Sequence, residues 1–252
     1  MLTEATIDRM NAMKMSALAS AFQRQIAEAS FSTLSFEERV GLLIDVEYAA
    51  REQRKLRRRL QGARLRQQAS LEDVDWQALR GLDRSVVASL GTCGWIREHQ
   101  NLLVTGPTGT GKSFLACAFA ERACRSGHSG YYVRAPRLFH DLTVARGDGS
   151  YGRLLARLTR TELLVIDDFA LTPLKDPERR DLLEILEDRH ERASTLVTSQ
   201  LPVKNWHEAI GEATLADAIC DRLIHCAHTI ALKGLSLRET KSRARRAGEA
   251  KP

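Results

Sequence analysis

The chain has 252 residues, 43% of them hydrophobic and 28% charged, with a formal net charge of +6. That length suits one mid-sized domain with a smaller appendage, and that composition excludes a disordered or low-complexity chain. No apolar run reaches the roughly 18 residues that a membrane span needs, and Met1-Leu2-Thr3-Glu4 lacks the basic-then-apolar layout of a signal peptide, so a cytoplasmic protein with no membrane partner is expected.

Residues 5–30 read as one helix, with Leu18, Phe22 and Ile26 recurring on one face. Ser35-Phe36-Glu37-Glu38 has the S-x-x-E form of a capping box and opens a second, long helix that carries Val40, Leu43, Ile44 and Glu47. Gly62 is expected to weaken or end that helix. The charge is unevenly spread: residues 1–50 hold 4 bases and 7 acids, whereas residues 51–66 hold 8 bases and 1 acid. Arg51, Arg54, Lys55 and Arg58 fall at i, i+3, i+4 and i+7 and share a face, and Arg57, Arg59, Arg64 and Arg66 complete the run. A solvated helix face is the ordinary reading of such a run, but one acid among eight bases leaves few i,i+4 partners. The run therefore points to a polyanion, met through phosphate contacts that position without reading sequence. An aromatic content of 6% disfavours base stacking on single strands, which makes binding to a phosphate backbone the better fit. Anionic lipid is the competing polyanion, since Leu56 and Leu60 lie beside the arginines.

Residues 67–100 are mixed and include Trp76 and Trp95. From Asn101 onward, short apolar runs alternate with amphipathic stretches. The runs are Leu102-Leu103-Val104, Tyr131-Tyr132-Val133, Leu163-Leu164-Val165-Ile166 and Thr195-Leu196-Val197-Thr198, and the segments 113–127, 137–160 and 178–192 between them are helical in length and period. Continuous apolar runs suit strands buried on both faces of a parallel sheet, so the expected class is α/β with right-handed crossovers. Residues 67–232 hold 19 bases and 22 acids, and residues 233–252 hold 7 and 2. A slightly acidic body thus carries two basic patches. Cys93, Cys117, Cys124, Cys220 and Cys226 form an odd set without a C-x-x-C pair, which fits a reducing compartment. Cys220, His225, Cys226 and His228 cluster without a zinc-ligand spacing, and no metal is assigned to them.

Gly106-Pro107-Thr108-Gly109-Thr110-Gly111-Lys112-Ser113 matches G-x-x-x-x-G-K-[ST] in full, between an expected strand and an expected helix that continues with Phe114. Glycines let the backbone N–H groups converge on phosphate, and the helix N-terminus adds positive potential. Lys112 is positioned to meet β- and γ-phosphates, and the Ser113 hydroxyl to ligate Mg²⁺. The run Leu163–Ile166 ends in Asp167-Asp168, at the strand edge where doubly wound sheets bind ligands. Asp167 is read as the second Mg²⁺ holder and Asp168 as the group that orients attacking water. At the same edge, Gln200 or Ser199 is read as a γ-phosphate contact, with an ordinary polar loop as the alternative. Arg222 is either an arginine finger acting on a neighbouring subunit or a partner for an acid. No N-K-x-D guanine-reading motif occurs.

Together these residues resemble the AAA+ ATPases, in the branch that holds the IstB-type insertion-sequence helpers and the DnaC-type helicase loaders. The resemblance also runs through Tyr48-Ala49-Ala50-Arg51-Glu52, Asn101-Leu102-Leu103-Val104-Thr105-Gly106, Thr198-Ser199-Gln200-Leu201-Pro202-Val203 with Trp206, Ala216-Asp217-Ala218-Ile219-Cys220-Asp221-Arg222-Leu223 and Gly234-Leu235-Ser236-Leu237-Arg238. It implies an all-helical N-terminal domain with a basic linker helix over 1–66, an AAA+ domain with a central parallel sheet sandwiched by helices over 67–240, and a basic disordered tail over 241–252. It further implies ATP and Mg²⁺ as ligands, Gln200 at sensor 1, Arg222 as a finger in trans and Arg238 as the sensor-2 arginine in cis. The implied partners are duplex DNA, a cognate transposase and further copies of the chain, with ATP sites between subunits. Asp168 stands where many AAA+ proteins have Glu, and no aromatic accompanies Arg238. The N-terminal pattern is more similar to the transposition helper. A helicase loader is the alternative on the same fold, and a small-molecule P-loop kinase is the alternative of another class.

Overall fold

A computed structural model describes residues 2–76, 81–234, 236 and 237. By internal contacts the chain divides into two units, Met1–Arg58 and Arg59–Pro252. The first unit holds α1 (Leu2–Ala12), α2 (Ser16–Ala27) and most of α3 (Phe36–Ala63), the long helix within which the division falls. The single helix expected over 5–30 is therefore two. Lys14 takes a left-handed backbone (φ 59°), and the Met15 N–H reaches back to the Met10 carbonyl at 2.9 Å. This is a Schellman ending built without the glycine that would have announced it. The buried stripe of α2 is Leu18, Ala19, Ala21 and Gln25, while Ile26 is 53% exposed. A polar residue joins that stripe because its amide has a partner: Gln25 Nε2 donates to the Arg39 carbonyl at 2.9 Å.

The capping box forms as expected. The Ser35 N–H donates to Glu38 Oε2 at 2.8 Å, and the Glu38 N–H donates to Ser35 Oγ at 3.2 Å. Gly62 falls in the last turn of α3 rather than beyond it, and Arg64, with φ 51°, makes the left-handed exit. Of the residues singled out on that helix, Ile44 is exposed, whereas Glu47 is turned inward. The Glu47 carboxylate accepts the Leu18 N–H at 3.2 Å, Arg51 Nε at 2.8 Å and an Arg54 guanidinium N–H at 2.9 Å. The hydrogen bond from Arg51 holds its carboxyl below the ordinary value, against the opposing effect of burial and with help from Leu18 and Arg54.

The second unit takes up the end of α3 and a 3-10 turn (Leu71–Asp73), continues through α4 (Arg84–Leu90) and α5 (Gly94–Arg97), then alternates β1 (Asn101–Thr105), α6 (Lys112–Arg125), β2 (Gly130–Arg134), α7 (Ala135–Gly147), α8 (Tyr151–Arg160), β3 (Leu163–Phe169), α9 (Asp176–Arg189), β4 (Ser194–Ser199), α10 (Trp206–Ile210), α11 (Ala213–Ile224) and β5 (Ala227–Ala231). All pairs are parallel, in the order β2-β3-β4-β1-β5. Each strand alternates between two separate cores. Leu102, Val104, Val165 and Leu196 pack with α6 and the α4–α5 segment. Leu103, Leu164, Ile166 and Val197 pack with α7 through α11. The α/β sandwich read from the sequence is thus present, with two local differences. The helix expected over 137–160 breaks at Gly149, whose φ of 75° lets the chain turn between α7 and α8. The edge strand β5 was not anticipated, because only Ile230 in it is buried. Among the described residues no helix is long and apolar enough to cross a membrane.

Because the native Glu47 carboxyl is depressed from 4.5, its contribution to stability is complete above that pH and is lost as pH falls through the native value. Glu47→Gln should speed amide exchange at Leu18 and across α2 at neutral pH while sparing the β-strands. The difference from wild type should shrink under acid. Hydrogen exchange read by mass spectrometry checks both.

Candidate nucleotide site

The strand β1 delivers the chain to its carboxyl edge, where 106–113 turn back into α6. Two glycines are required there by close approach as well as by backbone angle. A Cβ on Gly106 (φ 143°) would lie 2.4 Å from the Leu232 carbonyl oxygen, and one on Gly109 (φ 83°) would lie 2.1 Å from Ser236 Oγ. The chain after β5 is laced over the loop, with the Leu232 N–H donating to Thr105 O at 2.8 Å and the Leu237 N–H to Gly109 O at 2.9 Å. Gly111 (φ 97°) caps α6, whose first turn therefore opens N–H groups toward the loop. The Lys112 ammonium, 6% exposed, donates to the carbonyls of Gly106 at 2.7 Å and Pro107 at 2.8 Å. Thr110 Oγ1 also donates to Pro107 O, at 2.9 Å.

Beneath the loop lies Asp167, fully buried at the end of β3. Ser113 Oγ donates to its Oδ2 at 2.9 Å, and the hydroxyls of Tyr132 and Thr198 donate to the same carboxylate. Burial, and then the neighbouring Asp167, push the Tyr132 phenol far above its ordinary range, so it stays a donor. The Arg66 guanidinium stands 3.7 Å from Asp167 Oδ2. Its own pKa is raised, chiefly by a hydrogen bond with Tyr132. The next residue breaks the register between β3 and β4: Asp168 is left-handed (φ 58°) and its N–H donates to Thr198 Oγ1 at 3.1 Å. That turn aims its side chain into the cleft, where Arg134 Nε donates to Oδ2 at 2.9 Å. A buried carboxylate beside a serine hydroxyl is a hard oxygen set that fits Mg²⁺, with Ser113 and Asp167 as the residues that would hold it and the ion supplying charge neutralisation for phosphate.

The cleft has a volume of about 470 Å³, which suits a nucleotide. Thr108, Gly109, Gly111, Lys112, Ser113, Phe114, Asp168 and Gln200 all line it. Gln200 Oε1 accepts from Thr108 Oγ1 at 2.7 Å, whereas Ser199 is fully buried and its hydroxyl donates to the Phe169 carbonyl at 2.8 Å. Of the two polar residues offered by the sequence, Gln200 is thus the one in the cleft. Arg222 is not there. It sits on α11 and pairs with Glu187 at 3.0 Å and Asp221 at 2.6 Å. Its carbonyl accepts from Asn101 Nδ2, at the opposite end of β1 from the loop. Arg238 lies outside the described residues, as does the tail 241–252.

The basic run is less free than its composition implied. Glu47, one turn before it, takes Arg51 and Arg54, and Glu52 takes Lys55 at 2.7 Å. Arg57 and Arg58 are exposed, Arg59 is half-buried, and Arg64 stacks over the Tyr131 ring at 5.8 Å. Arg66 turns into the nucleotide cleft. Sequence reasoning missed Arg66, Tyr132, Arg134 and Thr198 at the site. Arg134 and Thr198 carried a usable signal, since both sit near the carboxyl ends of their strands, where Asp167 does.

Five parallel strands in this order, a P-loop after β1 and a carboxylate pair ending β3 define an AAA+ nucleotide-binding fold. The solved structure of DnaI shares it, with a TM-score of 0.58 at 22% identity over 70% of this chain and 93% of that one. Residues 8–245 match the family described as IstB-like ATP binding protein, and the chain belongs to that family. An insertion sequence ATP-binding protein of Sinorhizobium fredii is 50% identical over 243 residues, 96% of this chain and 99% of that one. The corresponding protein of insertion sequence IS1162 in Pseudomonas fluorescens is 43% identical over 203 residues, 80% of this chain and 88% of its own. The family resemblance read from the motifs therefore holds.

Thr198 joins the two acids through one buried hydroxyl. Thr198→Val keeps the shape but strips a donor from Asp167 and an acceptor from the Asp168 N–H. It should cost about 1–3 kcal/mol of stability, read as a lowered urea midpoint with an unchanged slope.

Proposed function

We propose that this protein is a Mg²⁺-dependent ATPase that assembles with copies of itself on duplex DNA and helps a transposase engage its target. The observation that carries the reading is the contact of Ser113 with Asp167 beneath the P-loop, with Asp168 turned into the same cleft. Lys112 would release the loop carbonyls to meet the β- and γ-phosphates, as a mobile ammonium can. Asp168 would orient the attacking water and Gln200 would contact the γ-phosphate. Arg134, bonded to Asp168, would fix the direction of that carboxylate.

Arg222 supports assembly. It lies at the far end of β1 from its own P-loop, which suits an arginine that completes a neighbour's site better than one that serves its own. Arg238 would touch the nucleotide in cis. Arg51, Arg54, Lys55, Arg57, Arg58, Arg59 and Arg64 would follow the DNA backbone, with Glu47 and Glu52 fixing the directions of three of them. The partnership with a transposase rests on the relatives, which are named as insertion sequence proteins.

Three variants test the assignments. Lys112→Ala should abolish ATP binding, and Asp168→Asn should keep ATP bound while slowing phosphate release by about 10²-fold or more. Arg222→Ala should leave nucleotide affinity intact and remove the DNA-stimulated part of hydrolysis; stimulated turnover at the wild-type rate would sink the role in trans. Seven bases on phosphates should give a slope of roughly −6 in log K against log salt, measured by fluorescence anisotropy on a DNA duplex. Capture of a replicative helicase in place of the transposase would turn the reading to a helicase loader.

A further inference from the structure

Arg66 leaves the basic run for the metal site. Two residues after the left-handed Arg64, its guanidinium faces Asp167 at 3.7 Å, with the arginine side chain 44% exposed and the carboxylate wholly buried. That separation is too long for a hydrogen bond, and the Tyr132 hydroxyl, which raises the pKa of Arg66, donates to the same carboxylate. Ser113, Thr198 and Tyr132 are neutral donors: they fill the lone pairs of Asp167 without bringing positive charge. Arg66 brings that charge to an anion which is costly to bury alone. A linker arginine that merely meets solvent would have no reason to stand 3.7 Å from a wholly buried carboxylate.

We propose that Arg66 is a positioning residue of the metal site, standing as the counter-ion of Asp167 so that a divalent cation entering beside Ser113 has to displace it. The proposal rests on the reading of Ser113 and Asp167 as the Mg²⁺ holders. Two cations at one carboxylate repel each other, with the least screening on the buried side of Asp167. A metal ion alone therefore meets opposition. A metal ion arriving with ATP brings phosphate oxygens, which offer the displaced guanidinium a planar, bidentate partner in the same cleft. Arg66 thus makes metal occupancy conditional on nucleotide, and the coupling is reciprocal.

The test is a titration of the full chain with Mn²⁺, standing in for Mg²⁺, with and without a non-hydrolysable ATP analogue, with free Mn²⁺ followed by electron paramagnetic resonance. Arg66→Ala should tighten nucleotide-free Mn²⁺ binding on the order of tenfold and narrow the gap between the nucleotide-free and nucleotide-bound affinities. Arg66→Lys keeps the charge and should keep most of that gap. An unchanged, weaker or undetectable nucleotide-free affinity in a folded Arg66→Ala variant overturns the proposal. Asp167→Asn separates the two claims. If it removes Mn²⁺ binding while Arg66→Ala changes nothing, only the role of Arg66 falls; if it leaves Mn²⁺ binding intact, the metal assignment falls and the proposal with it.

Discussion

A carboxylate without solvent, at the end of β3, is the constraint on which the rest of the site depends. Burying an ionised Asp167 costs several kcal/mol unless its oxygens are filled by donors and its charge is met. The donors come from three places: Ser113 on α6, Tyr132 on β2 and Thr198 on β4. One anion therefore ties the helix after the P-loop to the central part of the sheet and ties β3 to both of its neighbours. Thr198 then passes the arrangement on to Asp168 through the backbone N–H that it accepts. The two acids are not independent side chains that happen to be adjacent in sequence; a single hydroxyl orients both.

What was legible in the sequence was what is encoded locally. The P-loop glycines, the Ser35–Glu38 capping box and the apolar runs of β1 to β4 each carry their own signal over a few residues. The break at Lys14 carried none, because a lysine took the left-handed position that glycine usually fills. The strand β5 hid because an edge strand with one buried side chain has no apolar pattern to read. Composition grouped Arg66 with its basic neighbours, and after the turn at Arg64 it lies in the nucleotide cleft. Its proximity to Asp167 spans about a hundred positions of chain and exists only in three dimensions.

The net charge of +6 also takes on a more specific meaning. Within the Met1–Arg58 unit, Glu47 is as much a structural residue as an ionic one. It is buried, it anchors the start of α2 through the Leu18 N–H, and it sets the rotamers of Arg51 and Arg54. The bases it holds are about half exposed, so each fork is fixed on one side by Glu47 while part of it meets solvent. A bare composition count treats such arginines as interchangeable point charges. Their geometry makes them directional.

The strand order has a consequence in time as well as in space. The strand β1, which carries the P-loop, lies between β4 and β5, pairing Leu102 with Leu196 on one side and with His228 on the other. Both flanking partners are synthesised long after it, and so is the segment around Leu232 and Leu237 that closes over Gly106 and Gly109. Contacts this distant in sequence form late. A nascent or truncated chain that stops short of β5 thus carries the complete phosphate-binding motif with no finished place to hold it. The phosphate-binding loop depends for its support on chain made well over a hundred residues after it.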